Sequence, residues 1–300
     1  MARGWLALLA VLTVGATAPA GAGAQAIPPP NLPWTELLPA LPSPPQTHPN
    51  RVAHCRKARL KCVRFQIRRM RKAQERFGCD HRGVFMTTYL ELTRELRDTV
   101  RADPEFFDGP KFFFREDALF ANVYFRTLRR WEQGREVPEA WRIALEVARD
   151  GEVNAAQDML LGINAHVQND MPFVLAKLGL RTRSGESRKP DHDKANAVLN
   201  SGYERVVSAI NERFDPLVSL LNADWHPIDN VAGLEIVRLW REQVWRNAEK
   251  LVNAKTADER QRIADEIEAN AAYWARGIAL VPQPGYRAER DAYCARQLAG

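Results

Sequence analysis

The chain of 300 residues has no run of apolar residues long enough for an ordinary membrane-spanning helix, which takes roughly 18 or more. It also has no G-x-S-x-G nucleophile elbow, no Walker-type phosphate loop, no dinucleotide-binding glycine pattern and no H-E-x-x-H. The serine hydrolase, nucleotide-binding and zincin classes therefore have no support. No segment alternates apolar and polar residues with period two, and no block recurs at a fixed spacing, so neither a sheet-based fold nor a solenoid is expected. Cysteine is scarce, at four residues. Acidic residues are nearly missing between Arg51 and Arg76, where eleven Lys or Arg stand against Glu75 alone.

What is present begins with an export signal over residues 1–26. Arg3 supplies the positive end, "WLALLAVLTVGATA" the apolar stretch, and Ala24-Gln25-Ala26 a small-residue cleavage site. Cleavage near Ala26 predicts a secreted, extracellular protein whose mature chain has no transmembrane segment. Residues 27–50 are dense in proline, which fixes φ and removes amide donors, so an extended lead-in is expected there. Trp34, Leu37, Leu38 and Leu41 would pin parts of it to the body, the alternative being a loose linker. The remainder, residues 51–300, reads as a globular domain, the whole chain being 45% hydrophobic and 27% charged with a net charge of +6.

From Arg51 onward the pattern is helical. Apolar stripes run through Val63, Ile67, Met70 and Phe77; through Val84, Phe85, Tyr89, Leu92 and Leu96; and through Phe113, Phe120, Tyr124 and Leu128 to a stop at Gly134. Pro138 opens a fourth helix, which reaches Gly151. The fifth carries "LLGINAHVQNDMPF" (160–173), and Pro172 should kink or break it just after Asp170. A sixth passes through His192, Asn196, Leu199 and Tyr203, with Asp191 as its cap; Asp80 caps the second. A seventh runs from about Pro227 to Leu251, and an eighth starts from a capping box at Thr256–Glu259. The predicted fold is all-α: a single irregular bundle of about eight helices behind the Pro-rich lead-in.

In an exported chain four cysteines suggest two disulfides, for which three pairings exist. If Leu60–Phe77 is one helix, Cys62 and Cys79 stand roughly 25 Å apart at about 1.5 Å per residue, beyond the reach of about 7 Å that a disulfide allows. That leaves Cys55–Cys62 and Cys79–Cys294, and it requires the stretch between Cys55 and Cys62 to depart from regular helix.

Polar side chains fall on core-facing stripes of three helices: Asp117 and Tyr124, His166 and Asp170, His192 and Asn196. Buried aspartates need partners. His166 and Asp170, one turn apart, are placed to converge on one cation, with Asp117 and His192 completing an N/O set suited to zinc or a similar divalent ion. Without metal the same pair is an Asp–His acid/base couple, and a third reading is a hydrogen-bonded network that fixes helix register. Asn164 and Tyr124 would orient substrate. The basic stretch 51–76 suits an anionic polymer or a lipid surface, or is simply a solvated helix face. No nucleic-acid motif accompanies it, so nucleic acid is not an expected partner.

The segments "CDHRGVFMTTYLELT" (79–93), "DALFANVYFRTLRRWEQG" (117–134), "VPEAWRIAL" (137–145), "LLGINAHVQNDMPF" (160–173), "HDKANAVLN" (192–200) and "WREQVWRNAEKL" (240–251) together resemble domain-of-unknown-function family 5995 from about Trp34 onward. The resemblance implies a mostly helical and often exported protein, and it implies no activity. Its Asn-Ala-His-x-x-x-Asp-x-Pro motif matches at Asn164, Ala165, His166, Asp170 and Pro172. A remoter likeness to zinc-dependent phospholipase C and the P1-type nucleases rests on the HxxxD pair His166–Asp170. It implies a metal-dependent hydrolase of phosphoesters, but the N-terminal Trp ligand and a second HxxxD are missing here. The two expectations are such a hydrolase, and a non-catalytic envelope or extracellular binding protein that uses its basic helix.

Overall fold

Cys62, Val63, Gln66, Ile67, Met70, Ala73 and Phe77 recur every third or fourth residue and are buried along one face of the first helix, α1 (Lys61–Phe77). Outward from them, ten of the eleven Lys and Arg between Arg51 and Arg76 are exposed. The structure, a computed structural model, describes residues 35, 37–46, 51–216, 218, 227–280 and 284–299. The signal expected over residues 1–26 and the anchoring Trp34 lie outside the described residues.

Nine further α-helices follow among the described residues: α2 (Arg82–Ala102), α3 (Pro110–Glu132), α4 (Glu139–Asp150), α5 (Ala155–Asn164), α6 (Met171–Leu178), α7 (Lys189–Arg213), α8 (Pro227–Asn253), α9 (Ala257–Ala279) and α10 (Arg287–Ala299). Among the described residues there is no strand, only an isolated bridge between Arg181 and Ser187. The fold is all-α. Helix α2 sits at its centre, with α1, α5 and α7 against it; α9 covers α4 and α5, and α8 lies on α6. None of the described helices is long and apolar enough to cross a membrane.

Several helix boundaries follow from local chemistry. Pro138 stands before the first residue of α4, and Gly151 closes that helix in the left-handed conformation at φ 62°. A reciprocal capping box between Asn154 and Gln157 opens α5. At α9 only half of the expected box forms. Thr256 accepts the N–H of Glu259 at 3.1 Å, whereas the Glu259 carboxylate takes the N–H of Lys255 at 2.8 Å rather than that of Thr256. Asp191 does not cap its own helix. Its two oxygens accept the backbone N–H groups of Asp108 and Gly109 at 2.8 and 2.7 Å, so it caps α3 from the side.

The expected break at Pro172 takes another form. Ala165–Asp170 is a turn of π-helix between α5 and α6, and the N–H of Met171 donates to the carbonyl of His166, five residues back. Pro172 has no N–H to offer the preceding turn, and its ring would crowd that turn's carbonyl. Widening the turn by one residue relieves both problems and keeps the chain helical.

The lead-in is fastened, but not by its leucines. Leu37 is 77% exposed and Leu41 52%. Polar bonds hold it instead: Leu41 N–H to Glu249 at 2.7 Å, Lys189 Nζ to the Thr35 carbonyl at 2.7 Å and Arg188 to Gln46 at 2.7 Å.

Cys55 pairs with Cys62, their Cα atoms 5.1 Å apart, and Cys79 with Cys294 at 5.8 Å. His54 and Ala58 take positive φ values of 63° and 46°, which turn the chain out of helix around the short loop. The second bridge holds α10, an element with too weak an apolar stripe to read from the sequence, and spans 215 residues of chain. In the loop-entropy description the long loop stabilises by about 5 kcal/mol and the short one by about half that. Replacing Cys79 and Cys294 with serine should therefore lower the melting temperature roughly twice as far as replacing Cys55 and Cys62. An equal or reversed order would show that strain or residual structure in the unfolded chain, not loop length, governs the two bridges.

Candidate functional site

Asp170 closes the π-helical turn and is buried among donors. Its Oδ2 accepts from His166 Nδ1 at 3.0 Å and from Trp141 Nε1 at 2.9 Å, and its Oδ1 from Asn169 Nδ2 at 2.8 Å. Trp and Asn can only donate here, so Nδ1 of His166 carries the hydrogen and Nε2 the lone pair. The imidazole lies flat on Phe120, ring centroids 3.4 Å apart, with the rings of Phe85, Tyr89, Tyr124 and Trp141 around it. Burial holds its pKa below the usual histidine value against the pull of Asp170. His166 is thus a neutral imidazole in a fixed tautomer, and its Nε2 has no hydrogen-bond partner.

His166 also forms part of the wall of a cavity of about 510 Å³ lined by α2, α3, α5, the π turn, α7 and α8. The volume falls within the range of small-molecule sites. The lining is mostly apolar, with Phe85, Leu92, Phe113, Leu160, Ile163, Val198 and Val237 prominent, and among these polar exceptions are Tyr89, Glu116, Asp117 and Arg241. Tyr89 Oη, Glu116 Oε2 and Asp117 Oδ2 share the condition of His166 Nε2: each is buried without a hydrogen-bond partner. Burial pushes the carboxyls of Glu116 and Asp117 up to about 7, Asp117 further aided by its charged neighbour Glu116. Burial also drives the Tyr89 phenol well above its ordinary value. Orphaned polar atoms are uncommon in protein interiors and require explanation; here four sit on residues of one cavity wall.

The remaining predicted residues are placed elsewhere. His192 is buried, with Nε2 3.1 Å from the Arg241 carbonyl and Nδ1 3.3 Å from the Arg241 guanidinium. Burial, with Arg241 beside it, holds it well below the usual histidine value. Asn164 turns toward α9: it donates to the Ala271 carbonyl at 2.8 Å and accepts from Gln168 at 2.7 Å. Tyr124 stays in the aromatic shell around His166, its hydroxyl buried and unpartnered. Among the described residues no three His, Cys, Asp or Glu side chains gather into a metal-ligand set.

Residues 64–281, well over half of the chain, match the family described as a family of unknown function, DUF5995. The chain belongs to this family. The whole cavity wall from Phe85 to Arg241 falls inside the DUF5995 stretch. No curated protein and no solved structure matches the chain. The likeness to phospholipase C and P1-type nucleases therefore rests on the His166–Asp170 pair alone.

Three of the cavity's polar residues escaped the sequence reading. Glu116 precedes Asp117, and α3 is buried on both flanks, so adjacent positions 100° apart both face inward. Arg241 lay off the apolar stripe and received no role, yet it is 4% exposed and donates to Asn196 at 2.7 Å. Tyr89 was on a stripe but was counted as core.

Gly162 sets the cavity's shape, because a Cβ built there would lie 2.3 Å from the Phe85 ring. Gly162→Ala should push Phe85 off the His166 shell and cost about 1–3 kcal/mol by overpacking. A stability unchanged in denaturant titration would show that the ring has room to move. The raised carboxyls give a second prediction. A carboxyl whose folded pKa lies above its unfolded value contributes stability that is fully present below the unfolded pKa and lost as pH rises through the folded one. For Asp117 the window runs from about 4 to about 7. The depressed His166 and His192 act oppositely and destabilise the fold as pH falls below about 6.5. The Asp117 contribution is therefore read as a difference: the stability of the natural chain relative to Asp117→Asn should increase from pH 8 to pH 5. A pH-independent difference would mean that Asp117 is ionised in the fold.

Proposed function

We propose that this protein binds an apolar small molecule in the cavity between α2, α3, α5, α7 and α8, as an exported binding or catalytic domain. The observation that carries the reading is a cavity of about 510 Å³ lined mostly by apolar side chains from α2, α3, α5, α7 and α8. An apolar body would displace poorly held water from the cavity. The unpartnered atoms of Tyr89, Glu116, Asp117 and His166 are themselves fully covered, so recognition would rest on the apolar lining.

The two earlier expectations fare differently. A metal-dependent phosphoesterase built on Asp117, His166, Asp170 and His192 would need Arg241 to release His192, which it contacts at both ring nitrogens. Contact with an anionic polymer or lipid surface through α1 keeps one favourable observation. Lys61, Arg64, Arg68, Arg71 and Lys72 are exposed and lie on the face of α1 turned away from the core. Surface charge of this kind serves an encounter and does not compete with a ligand in the cavity.

Titration with the uncharged fluorophore N-phenylnaphthylamine tests the reading. Saturable binding is expected, and Ile163→Trp, which puts an indole into the cavity, should weaken it at least about tenfold, equivalent to a loss of about 1.4 kcal/mol. Absence of saturable binding to the natural chain, or equal binding by Ile163→Trp, would remove the cavity as a ligand site.

A further inference from the structure

The cavity has a shape as well as a lining. Helices α2 and α7 pack side by side, and the wall follows both, from Phe85 to Leu96 on α2 and from Ala195 to Val206 on α7. The facing wall follows α5 and the π turn from Ala156 to Val167. Each stretch advances eleven residues, roughly 16 Å at about 1.5 Å per residue. A volume of about 510 Å³ drawn out over roughly 16 Å leaves a mean cross-section of about 30 Å². A methylene group fills about the volume of a water molecule, about 30 Å³, and an extended chain advances about 1.2 Å per bond, which gives one chain a cross-section of about 25 Å². The cavity is therefore about as wide as one extended hydrocarbon chain and too narrow for two side by side.

Its two ends differ. At one, Leu92, Ala156, Met159 and Tyr203 are half-buried around Val206. At the other, Phe113, Phe120, Met171, Ala195 and Val198 are buried in the main core. The wall between them presents mostly carbon. Tyr89 Oη, Glu116 Oε2, Asp117 Oδ2 and His166 Nε2 are fully covered, and Thr88 and Thr93 spend their hydroxyls on the carbonyls of Val84 and Tyr89. Arg241 is taken up by Asn196 and His192. The half-buried polar side chains of the lining, Asn154, Gln157 and Tyr203, belong to the first end.

We propose that the cavity takes a single unbranched hydrocarbon chain of about 14 to 17 carbons. Its tail lies against Phe113 and Ala195, and its polar end group stays in water beside Met159 and Tyr203. The inference rests on the cavity being a ligand site. The lower length is about 13 bonds laid along the roughly 16 Å of wall, and the upper is the number of methylenes of about 30 Å³ that the volume holds. Recognition is then by length and girth. Each methylene that enters leaves water and gains contacts until the blind end is reached.

The probes are the straight-chain primary alkanols from hexan-1-ol to octadecan-1-ol, each used to displace N-phenylnaphthylamine from the full chain. Affinity should rise about fourfold per added methylene, equivalent to about 0.8 kcal/mol for each buried CH₂. The rise should stop at about 14 to 17 carbons, where the cavity is full. Straight-chain fatty acids should show the same slope and the same break, because the end group stays outside. Ala195→Leu, which adds an isopropyl group at the blind end, should move the break to chains shorter by about three carbons. Cyclododecanol matches dodecan-1-ol in carbon count and cannot thread, so it should displace the fluorophore at least about tenfold less well. A rise that continues unbroken to octadecan-1-ol, no dependence on length, a break that a folded Ala195→Leu leaves in place, or equal displacement by cyclododecanol overturns the inference and leaves the cavity as a site for other apolar compounds. If Ala195→Leu does not fold, the series on the natural chain decides alone. Failure of N-phenylnaphthylamine itself to bind overturns the binding reading, and the inference with it.

Discussion

The hydrogen bond between His166 Nδ1 and Asp170 Oδ2 is the contact around which the middle of this bundle is organised. Asp170 is 5% exposed, and a carboxylate at that depth must be surrounded by donors. The three it has come from α4 and from the π turn itself, so α4 and the π turn have to meet at one point. The wide turn that brings His166 and Asp170 face to face also accommodates Pro172 and leads into α6, which packs on α8. Removing one donor would leave a buried lone pair unsatisfied, a cost of about 1–3 kcal/mol.

Buried polarity is divided between two kinds of place. Between α7, α8 and the lead-in much of it is satisfied: Lys189 Nζ reaches Asp193 at 2.8 Å and the Thr35 carbonyl at 2.7 Å. Arg241 is consumed in the same way by Asn196 and His192. These groups specify which helices adjoin. Around the cavity, by contrast, Tyr89, Glu116, Asp117 and His166 retain unused capacity. Burial alone does not separate the two kinds of residue, since His166 and His192 are 2% and 1% exposed. What separates them is whether the partner count closes.

Much of the architecture was legible because a helix writes its buried face at a fixed period. Val63, Ile67, Met70 and Phe77 announce α1, and Phe113, Phe120 and Tyr124 announce α3. Pro138 and Gly151 mark α4 because each removes or permits a specific backbone conformation. Periodicity says which residues face inward and is silent about what they meet there. His192 and His166 occupy equivalent stripe positions, yet one meets a guanidinium and the other a carboxylate. Asp191 was read as a local cap and instead reaches α3, because a side chain at a helix start can serve a neighbouring helix as well as its own. Glu116 and Arg241 lay off the apolar stripes and became visible only once α3 was seen to be buried on both flanks and α8 to close over the cavity.

The bridge between Cys79 and Cys294 has a consequence for how the chain withstands damage. It joins the start of α2 to the last helix, so the covalent loop it closes contains every wall of the cavity. A protease that nicks one exposed connection inside that loop yields two fragments still tied at the bridge and still packed through the bundle. Such a nicked molecule keeps its mass in a denaturing gel without reductant and separates into two fragments when reductant is added. The cavity is in that sense ringed by covalent bonds as well as lined by helices.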